Sequence, residues 1–576
     1  MSVMKTQSGP VPTPSPSTPA STAHRSIGRT RGPWRWLVAF AATALLVVSG
    51  SGLVAFAQSG AGTSRGPAFL PAETALYIEA RLDMPAGQNE ALAEFLSAFP
   101  GFADSASFDQ RVEQMFDGLF SESTDGRLTY TQDIQPWITG EIGLGLVDLA
   151  DAVAEDRDPD MLAGVAITDR AAADAFLTTV FAEADDGVME EPYRDTSILS
   201  DGDTAVAVTD EFLILGTGPD LVRTAIDILA GDAPSLAEQE GFSSAFARVP
   251  AGHLAAAYVD FSSFRGLIEA AMAQGDPAMA EMMSGNMLDQ LPLDMSMYIV
   301  AGPDNLTLEA FITPAAGAAS PNVGDSDLAQ RFPAGTQLFV ETRELGAAIE
   351  SGLTQLLAMA QEGDAQSMES FEEMLGAPIP SLLDFVGDAA IGASLSDGQL
   401  WVGMAGEVDD ETTAAARIER ILGLVRLAAA SGDGEIDISE SEVAGATVTT
   451  ITFPAEATEG ALPMDIGNSV SLAVADGTLY LGIGDFVTQA LTQDAATSLG
   501  AGPGYLAALG EDTANSGVLF VDVGAILETV EPLMSLMVPE WAEVQPWVSG
   551  MDRFVAVGRA DDDVISTRMS LYVDRG

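Results

Sequence analysis

Apolar positions after residue 67 switch repeatedly between a two-residue and a 3.6-residue period. Residues 76–82 alternate as a strand does, whereas 89–99 and 108–120 carry apolar residues three and four apart, as amphipathic helices do. Further strands are predicted at 141–147, 162–168, 204–209, 212–217, 253–261, 296–301 and 307–313. Because strands come in adjacent pairs between helices, the pattern favours the α+β class, with a curved, mainly antiparallel sheet and helices on one face.

The sequence also predicts where two helices begin. Asp169 stands where an N-cap is expected, before a helix running to about Ala182. Pro219 fits the first turn of the next helix.

Parts of this apolar and polar pattern occur twice along the chain. Residues 71–81 (PAETALYIEAR) match residues 333–343 (PAGTQLFVETR), 262 positions later, and residues 207–218 similarly match residues 473–484. Solenoid repeats are much shorter, so this period predicts two tandem duplicated domains. We assign them to residues 68–314 and 328–576, joined by a linker at 315–327.

The segment before the repeats has a different composition. Residues 1–33 are rich in Pro, Ser and Thr and are expected to be disordered. Residues 34–57 are apolar and long enough for one transmembrane helix, and 58–67 form a tether. Arginines before this stretch place the tail in the cytoplasm and the domains outside the cell membrane. The alternative is secretion after cleavage near Ala57, which ends a small-x-small motif.

The net charge of the chain argues against one class of binding partner. The formal net charge is −61, and the first 65 residues hold six basic and no acidic residues, so the remainder carries −67. Such a surface repels nucleic acid, and no nucleic-acid partner is expected. There is no cysteine, so two large cores must supply the stability that disulfides often give exported proteins.

Three short motifs resemble a known family. They are residues 71–77 (PAETALY), residues 95–102 (FLSAFPGF) and residues 134–143 (IQPWITGEIG). Together they resemble the bacterial family called domain of unknown function 3352. The resemblance implies a membrane-anchored or exported protein of unknown activity, and it assigns no functional residue.

Much catalytic chemistry is excluded. Without cysteine there are no thiol nucleophiles or thiolate metal sites. His253 is the only histidine after the tail, and we interpret it as a surface or strand-end residue. No P-loop, G-x-S-x-G or G-x-G-x-x-G motif follows a predicted strand. We therefore expect no cofactor, no metal site and no enzymatic activity.

Several carboxylates are candidates for a structural or ion-binding role. Asp260 and Asp522 end matching strands and are interpreted as structural helix caps. Glu79 with Arg81, and Glu341 with Arg343, are interpreted as ion pairs on the sheet surface. Two alternating acidic runs, 156–160 and 433–437, lack the glycine and glutamate of a calcium loop, so they are interpreted as solvated loops.

Methionine supplies the candidate ligand site. Seven methionines fall within 26 residues: Met272, Met279, Met282, Met283, Met287, Met295 and Met297. Flexible thioether side chains suit apolar ligands or partners, although packing within the domain would also explain them. The hypothesis is a membrane-anchored extracytoplasmic protein that binds an apolar or lipid-like molecule or a protein partner. The alternatives are a carboxylate-based hydrolase and a purely structural or sensory ectodomain.

Overall fold

The computed structural model shows an α+β fold built on one large antiparallel sheet. It describes residues 64–81, 87–102, 108–124, 126–149, 152, 157, 159–181, 188–273, 291–318, 320–343, 385–396, 399–431, 436–454, 468–510, 513–561 and 563–574. We call residues 64–318 the first half and residues 320–574 the second half. The predicted class and the mainly antiparallel sheet are confirmed.

The first half contains ten of the strands in these ranges. They are β1 Leu76–Arg81, β2 Ile138–Val147, β3 Asp160–Ile167, β4 Met189–Tyr193, β5 Thr196–Ser200, β6 Ala205–Val208, β7 Phe212–Gly216, β8 Ala255–Asp260, β9 Asp294–Ala301 and β10 Asn305–Thr313. The hairpin β4–β5 was not predicted.

The second half contains another ten strands in the described ranges. They are β11 Leu338–Thr342, β12 Val386–Ser396, β13 Gln399–Val408, β14 Asp437–Val443, β15 Ala446–Thr452, β16 Ser469–Ala475, β17 Thr478–Ile483, β18 Gly517–Asp522, β19 Met551–Asp561 and β20 Val564–Val573.

Twelve α-helices lie in the same ranges. They are α1 Gln88–Leu96, α2 Phe108–Ser123, α3 Tyr130–Asp133, α4 Arg170–Phe181, α5 Pro219–Leu229, α6 Glu240–Phe246, α7 Phe261–Ala273, α8 Glu411–Ser431, α9 Phe486–Thr492, α10 Pro503–Leu509, α11 Val523–Met537 and α12 Trp541–Val548. The Asp169 carboxylate accepts a hydrogen bond from the Ala172 N–H, as an N-cap does.

Both halves have the same strand order. In the first half the order is β4-β5-β6-β7-β3-β2-β1-β8-β9-β10. In the second half it is β14-β15-β16-β17-β13-β12-β11-β18-β19-β20. Each strand therefore has a counterpart ten strand numbers later.

The two halves share one sheet, because their last strands pair with each other. β10 and β20 run antiparallel, from Asn305 opposite Tyr572 to Ile312 opposite Ile565. The Thr307 and Ser570 hydroxyls, 2.8 Å apart, hydrogen bond across this junction. The sequence pattern predicted two separate sheets and did not reveal this pairing.

Helices cover both faces of the sheet in the first half, so the prediction of helices on one face is wrong. α5 and α6 pack against Tyr77, Leu162 and Ile214 on one face. α1, α2 and α4 pack on the other face, where Ile142 and Val165 lie. The reason is visible in β6 and β7, whose residues are apolar throughout and buried on both sides.

The predicted transmembrane segment, residues 34–57, lies outside the described residues. Within the described ranges, no helix combines the length and the apolar character that a bilayer crossing requires.

Candidate functional site

The methionines predicted to form a ligand site fall into two groups. Met295 and Met297 lie on β9, and Met272 lies in α7. The remaining four lie outside the described residues: Met279, Met282, Met283 and Met287. Met295 and Met297 are half-buried and share a face of the sheet with Ile299, which pairs with Leu308 of β10.

From Leu308, a row of apolar side chains crosses nine strands on one face of the sheet. Each member lies directly opposite the next in the strand register. The row is Leu308, Met569, Ala556, Leu519, Val340, Ile391, Met404, Leu481 and Leu472. At about 4.8 Å per strand it is about 40 Å long.

A second apolar row runs beside the first on the same face. It is Leu306, Leu571, Phe554, Val521, Leu338, Ala393, Val402, Ile483 and Val470. We call the two rows together the apolar band. None of its side chains is fully buried, and none carries a polar group.

The band is most exposed on β11 and β12, and Leu481 of β17 is as exposed as Met569 of β20. Val340 is 40% exposed, Ile391 45% and Leu481 37%. Exposed large apolar side chains are usually scattered singly on a protein surface, whereas these lie in one continuous row. The band is therefore the strongest candidate for a binding surface among the described residues.

Matching positions in the first half are covered. Leu144 pairs with Ile78 as Ile391 pairs with Val340, yet Leu144 is only 6% exposed. Leu215, in the place of Leu481, joins a core that includes side chains of α2 and α4. Among the described residues, the same sheet face is thus covered in the first half and partly exposed in the second, where Met404 packs in a cluster with Ile418 of α8.

A second notable feature is a buried polar cluster around β1. The Glu79 carboxylate accepts hydrogen bonds from the Ser64 and Tyr77 hydroxyls and contacts Nε2 of His253. Glu141, on β2, accepts hydrogen bonds from the backbone N–H groups of Arg65 and Gly66, the latter at 2.7 Å. The cluster fastens the chain leading into β1 to the sheet.

The second half has a related cluster around Arg343. Its guanidinium Nη1 lies 2.7 Å from Asp388 Oδ2 and 3.1 Å from Glu341 Oε1. It also donates to the carbonyl oxygens of Asn515 and Gly324, and so fastens the chain that leads into β11. Asn515 is the residue 262 positions after His253.

These clusters correct two sequence interpretations. Glu79, Arg81, Glu341 and Arg343 are all buried, so they are not ion pairs on the sheet surface. His253 is 2% exposed and is not a surface residue. A sequence signal was present, since Ser64 precedes Glu79 by the same 15 residues that separate Ser326 from Glu341.

The two aspartates interpreted as caps lie next to helix starts. Asp522 Oδ1 accepts a hydrogen bond from the Ala525 N–H at the start of α11. Asp260 Oδ1 accepts one from the Ser262 N–H in the first turn of α7. Both bonds satisfy backbone donors that a helix start leaves unpaired.

Carboxylate chemistry finds little support in the described ranges. They contain no group of three or more His, Asp or Glu residues placed to hold a metal ion. Asp160 of the first acidic run instead pairs with Arg157 and accepts from Thr217. A surface groove of about 480 Å³ lies near Arg170 and Arg194, but both arginines are already paired with aspartates.

Comparison with known proteins gave one clear result. The sequence matches the family model described as "Protein of unknown function (DUF3352)" over residues 36–571. No curated protein matches it. The solved structure of crystal form III of TP0453 has 9% identity and a TM-score of 0.24, covering 46% of this chain and 90% of that chain. Crystal form I has 8% identity and a TM-score of 0.25, covering 45% and 82%.

TM-scores this low carry no argument about fold or function. The family match, in contrast, spans nearly the whole length of the protein, including both halves of the sheet. The chain therefore belongs to the DUF3352 family of proteins of unknown function.

Proposed function

We propose that this protein is a membrane-anchored, extracytoplasmic binding protein whose ligand is a lipid-like hydrocarbon chain, and that it is not an enzyme. The observation that carries the proposal is the apolar band, which crosses nine strands without a polar side chain and stays partly exposed. Residues 34–57 would supply the membrane anchor.

The chemistry of the band favours hydrocarbon over a peptide segment. A peptide laid along the band would lose hydration of its backbone N–H and C=O groups and find no side-chain partner there. A hydrocarbon chain has no such groups, and each buried CH₂ contributes about 0.8 kcal/mol. Met404 and Met569 within the band add flexible, polarisable contacts that suit chains of different shape.

A duplication would explain why two halves of the same strand order differ in the exposure of one sheet face. The equal strand order of the halves and the matched sequences at residues 71–81 and 333–343 support a duplicated ancestor. In this view the first half kept a covered face for stability, and the part of the matching face that the described second half leaves exposed became the binding surface.

No contact among the residues that the structure describes favours the hydrolase alternative. Two carboxylates that act on a glycoside must face a cleft that the substrate enters. Glu79 and Glu141 lie close together through Ser64, but both are shielded from solvent. Their hydrogen bonds to the chain before β1 explain their burial structurally.

Native mass spectrometry of the full chain, purified from membranes and combined with organic extraction, tests the proposal. We expect a stoichiometric apolar ligand, and we expect Val340→Asp to lose it. Leu506→Asp is the matched control, because Leu506 is 48% exposed but lies on α10, outside the band. A ligand-free mass in every preparation of the wild type would contradict the proposal.

A further inference from the structure

The helical hairpin α11–α12, which connects β18 to β19, exposes large apolar side chains on its outer part. Their exposed fractions range from 45% to 86%, in Leu533, Leu536, Met537, Val544 and Trp547. Neither helix contains a buried residue. An apolar surface this exposed marks an interaction site.

The base of the hairpin is fixed to the sheet, so its outer part is held in place. Gln337 Nε2 donates to the Ala525 carbonyl, and the Thr529 hydroxyl donates to the Leu395 carbonyl at 3.2 Å. At the return end, the Asp574 N–H donates to the Gly550 carbonyl. The exposed residues follow Thr529 and precede Gly550.

The hairpin stands at the same end of the sheet as Ser64. Ser64 contacts Glu79 near the end of β1, where Arg81 pairs with Glu141. Following the strand register from Ala80 through β8, β9, β10 and β20 leads to Ala556 of β19. Met551, where the hairpin joins β19, lies beyond Ala556 in the same direction as Arg81 lies beyond Ala80. β1 and β19 are five strand spacings apart, about 24 Å.

This end of the sheet lies close to the proposed anchor. Only six residues, 58–63, separate Ser64 from the apolar stretch 34–57. Fully extended they reach about 20 Å. With 34–57 in the bilayer, the end of the sheet that carries the hairpin faces the membrane.

We infer that the hairpin α11–α12 docks on the surface of the lipid bilayer, with Leu533, Leu536 and Met537 in the interface. Charge decides which lipids it accepts. Residues 523–550 carry four glutamates and no basic residue. Interfacial helices with Lys or Arg bind anionic lipids, so this hairpin is suited to zwitterionic lipids instead.

Docking depends on the anchor. Without basic residues the hairpin alone would bind lipid weakly, but an anchor a few residues from Ser64 raises its effective concentration at the membrane. The hairpin follows Val521 and precedes Phe554, two members of the apolar band. It therefore stands beside the band, along the edge that the second row forms.

Single-cysteine labelling tests the docking, since the chain has no cysteine of its own. The full chain is reconstituted in phosphatidylcholine vesicles with an NBD label on Leu536→Cys, a position that is 86% exposed. Met189→Cys is the control, because Met189 is 60% exposed but lies on the edge strand β4. We expect iodide to quench the Leu536 label at least about threefold less than the control, as burial in the interface requires.

The outcomes separate the alternatives. Equal quenching at the two positions overturns the inference. Protection in native membranes that is absent in pure phosphatidylcholine also overturns it and indicates a protein partner. Replacing a third of the lipid with phosphatidylglycerol is expected to restore quenching at Leu536, and protection that persists would overturn the charge argument. The inference rests on the proposed anchor but not on the ligand, so ligand binding to the band can fail while this result stands.

Discussion

The imidazole of His253 and the carboxylate of Glu79 form a contact that is almost completely shielded from water. His253 Nδ1 faces the Pro250 carbonyl at 2.7 Å, so both ring nitrogens face acceptors. Burial alone would raise the pKa of Glu79, but hydrogen bonds and charge from His253, with hydrogen bonds from Ser64 and Tyr77, hold that pKa below its ordinary value. Glu79 is thus a buried carboxylate whose partners keep it ionised.

Removing the imidazole should destabilise the fold strongly. His253→Ala leaves the Glu79 charge buried without its main partner, which typically costs about 3 kcal/mol or more. His253→Asn, which installs the residue found at position 515, keeps one donor and should lose less. Thermal and denaturant unfolding of the two variants measures the difference. Equal stability of wild type and His253→Ala would show that the pair does not hold Glu79.

The pKa of Glu141 is shifted in the opposite direction to that of Glu79. Burial, and then the charge of Glu79, raise its pKa, against hydrogen bonds from Gly66 and Arg65 that lower it. A carboxyl with a raised folded-state pKa contributes stability below its unfolded pKa, and this contribution is lost as the pH rises through the folded value. Glu141→Gln should therefore stabilise the protein at pH 7, by about 1 kcal/mol, and lose its advantage below about pH 4.

The control for this prediction removes one negative charge elsewhere. Glu211→Gln, on the exposed turn between β6 and β7, changes the net charge equally without touching the cluster. Any gain common to both variants reflects the general repulsion within an acidic protein. If the two variants show the same pH profile, the buried environment of Glu141 has no influence on stability.

Arg343 should be the corresponding weak point of the second half. Arg343→Ala leaves Glu341 and Asp388 without the guanidinium they share, at a cost of about 3–5 kcal/mol. Arg343→Lys keeps the charge but cannot contact Asp388 and the Asn515 and Gly324 carbonyls together, so it should lose an intermediate amount. A lower free energy of unfolding for Arg343→Lys than for Arg343→Ala would contradict this arrangement.

A glycine beneath an aromatic ring provides a further test. A Cβ on Gly403 of β13 would lie 2.0 Å from the ring of Phe486, so Gly403→Ala must displace a fully buried side chain. The expected loss of stability is about 1–3 kcal/mol. Gly252→Ala is the control, because nothing lies within 4 Å of its added Cβ. Similar unfolding midpoints for the two variants would show that the ring does not pack on Gly403.

Local structure was predictable where the period of the apolar residues was clear. The strand at residues 76–82 and the helix that starts at Pro219 appear within a residue or two of their predicted bounds. The hairpin β4–β5 was missed because its sequence, with Glu190, Glu191 and Pro192, lacks apolar alternation. Its strand forms through pairing at the sheet edge, which a local pattern does not encode.

Long-range relations were harder to predict. The pairing of β10 with β20 joins residues more than 250 positions apart, and no local signal specifies it. Glu79 and Arg81 looked like surface charges because alternating charged residues in a strand usually face water. Both are buried, and the chain before β1 contributes to the burial of Glu79, because the Ser64 hydroxyl donates to its carboxylate.

The binding site illustrates the same limit. The methionine content predicted a site at residues 272–297, and two of those methionines lie on the face of the band. The band itself takes two residues from each of nine strands, so it becomes visible only when the register is known. The predicted methionine site remains a prediction.

The most direct test of the account maps where a fatty acid binds. The full chain in phosphatidylcholine nanodiscs is incubated with a diazirine-bearing palmitate, irradiated and digested, and the labelled peptides are located by mass spectrometry. We predict labels on peptides from β11, β12, β13 and β17. We also predict about tenfold less label in Ile391→Asp. A tenfold loss corresponds to about 1.4 kcal/mol, and burying a charge against a hydrocarbon chain costs well over that amount. Leu506→Asp should label as the wild type does. Label spread evenly over the chain, or unchanged in a folded Ile391→Asp protein, would contradict the proposal that the apolar band binds hydrocarbon.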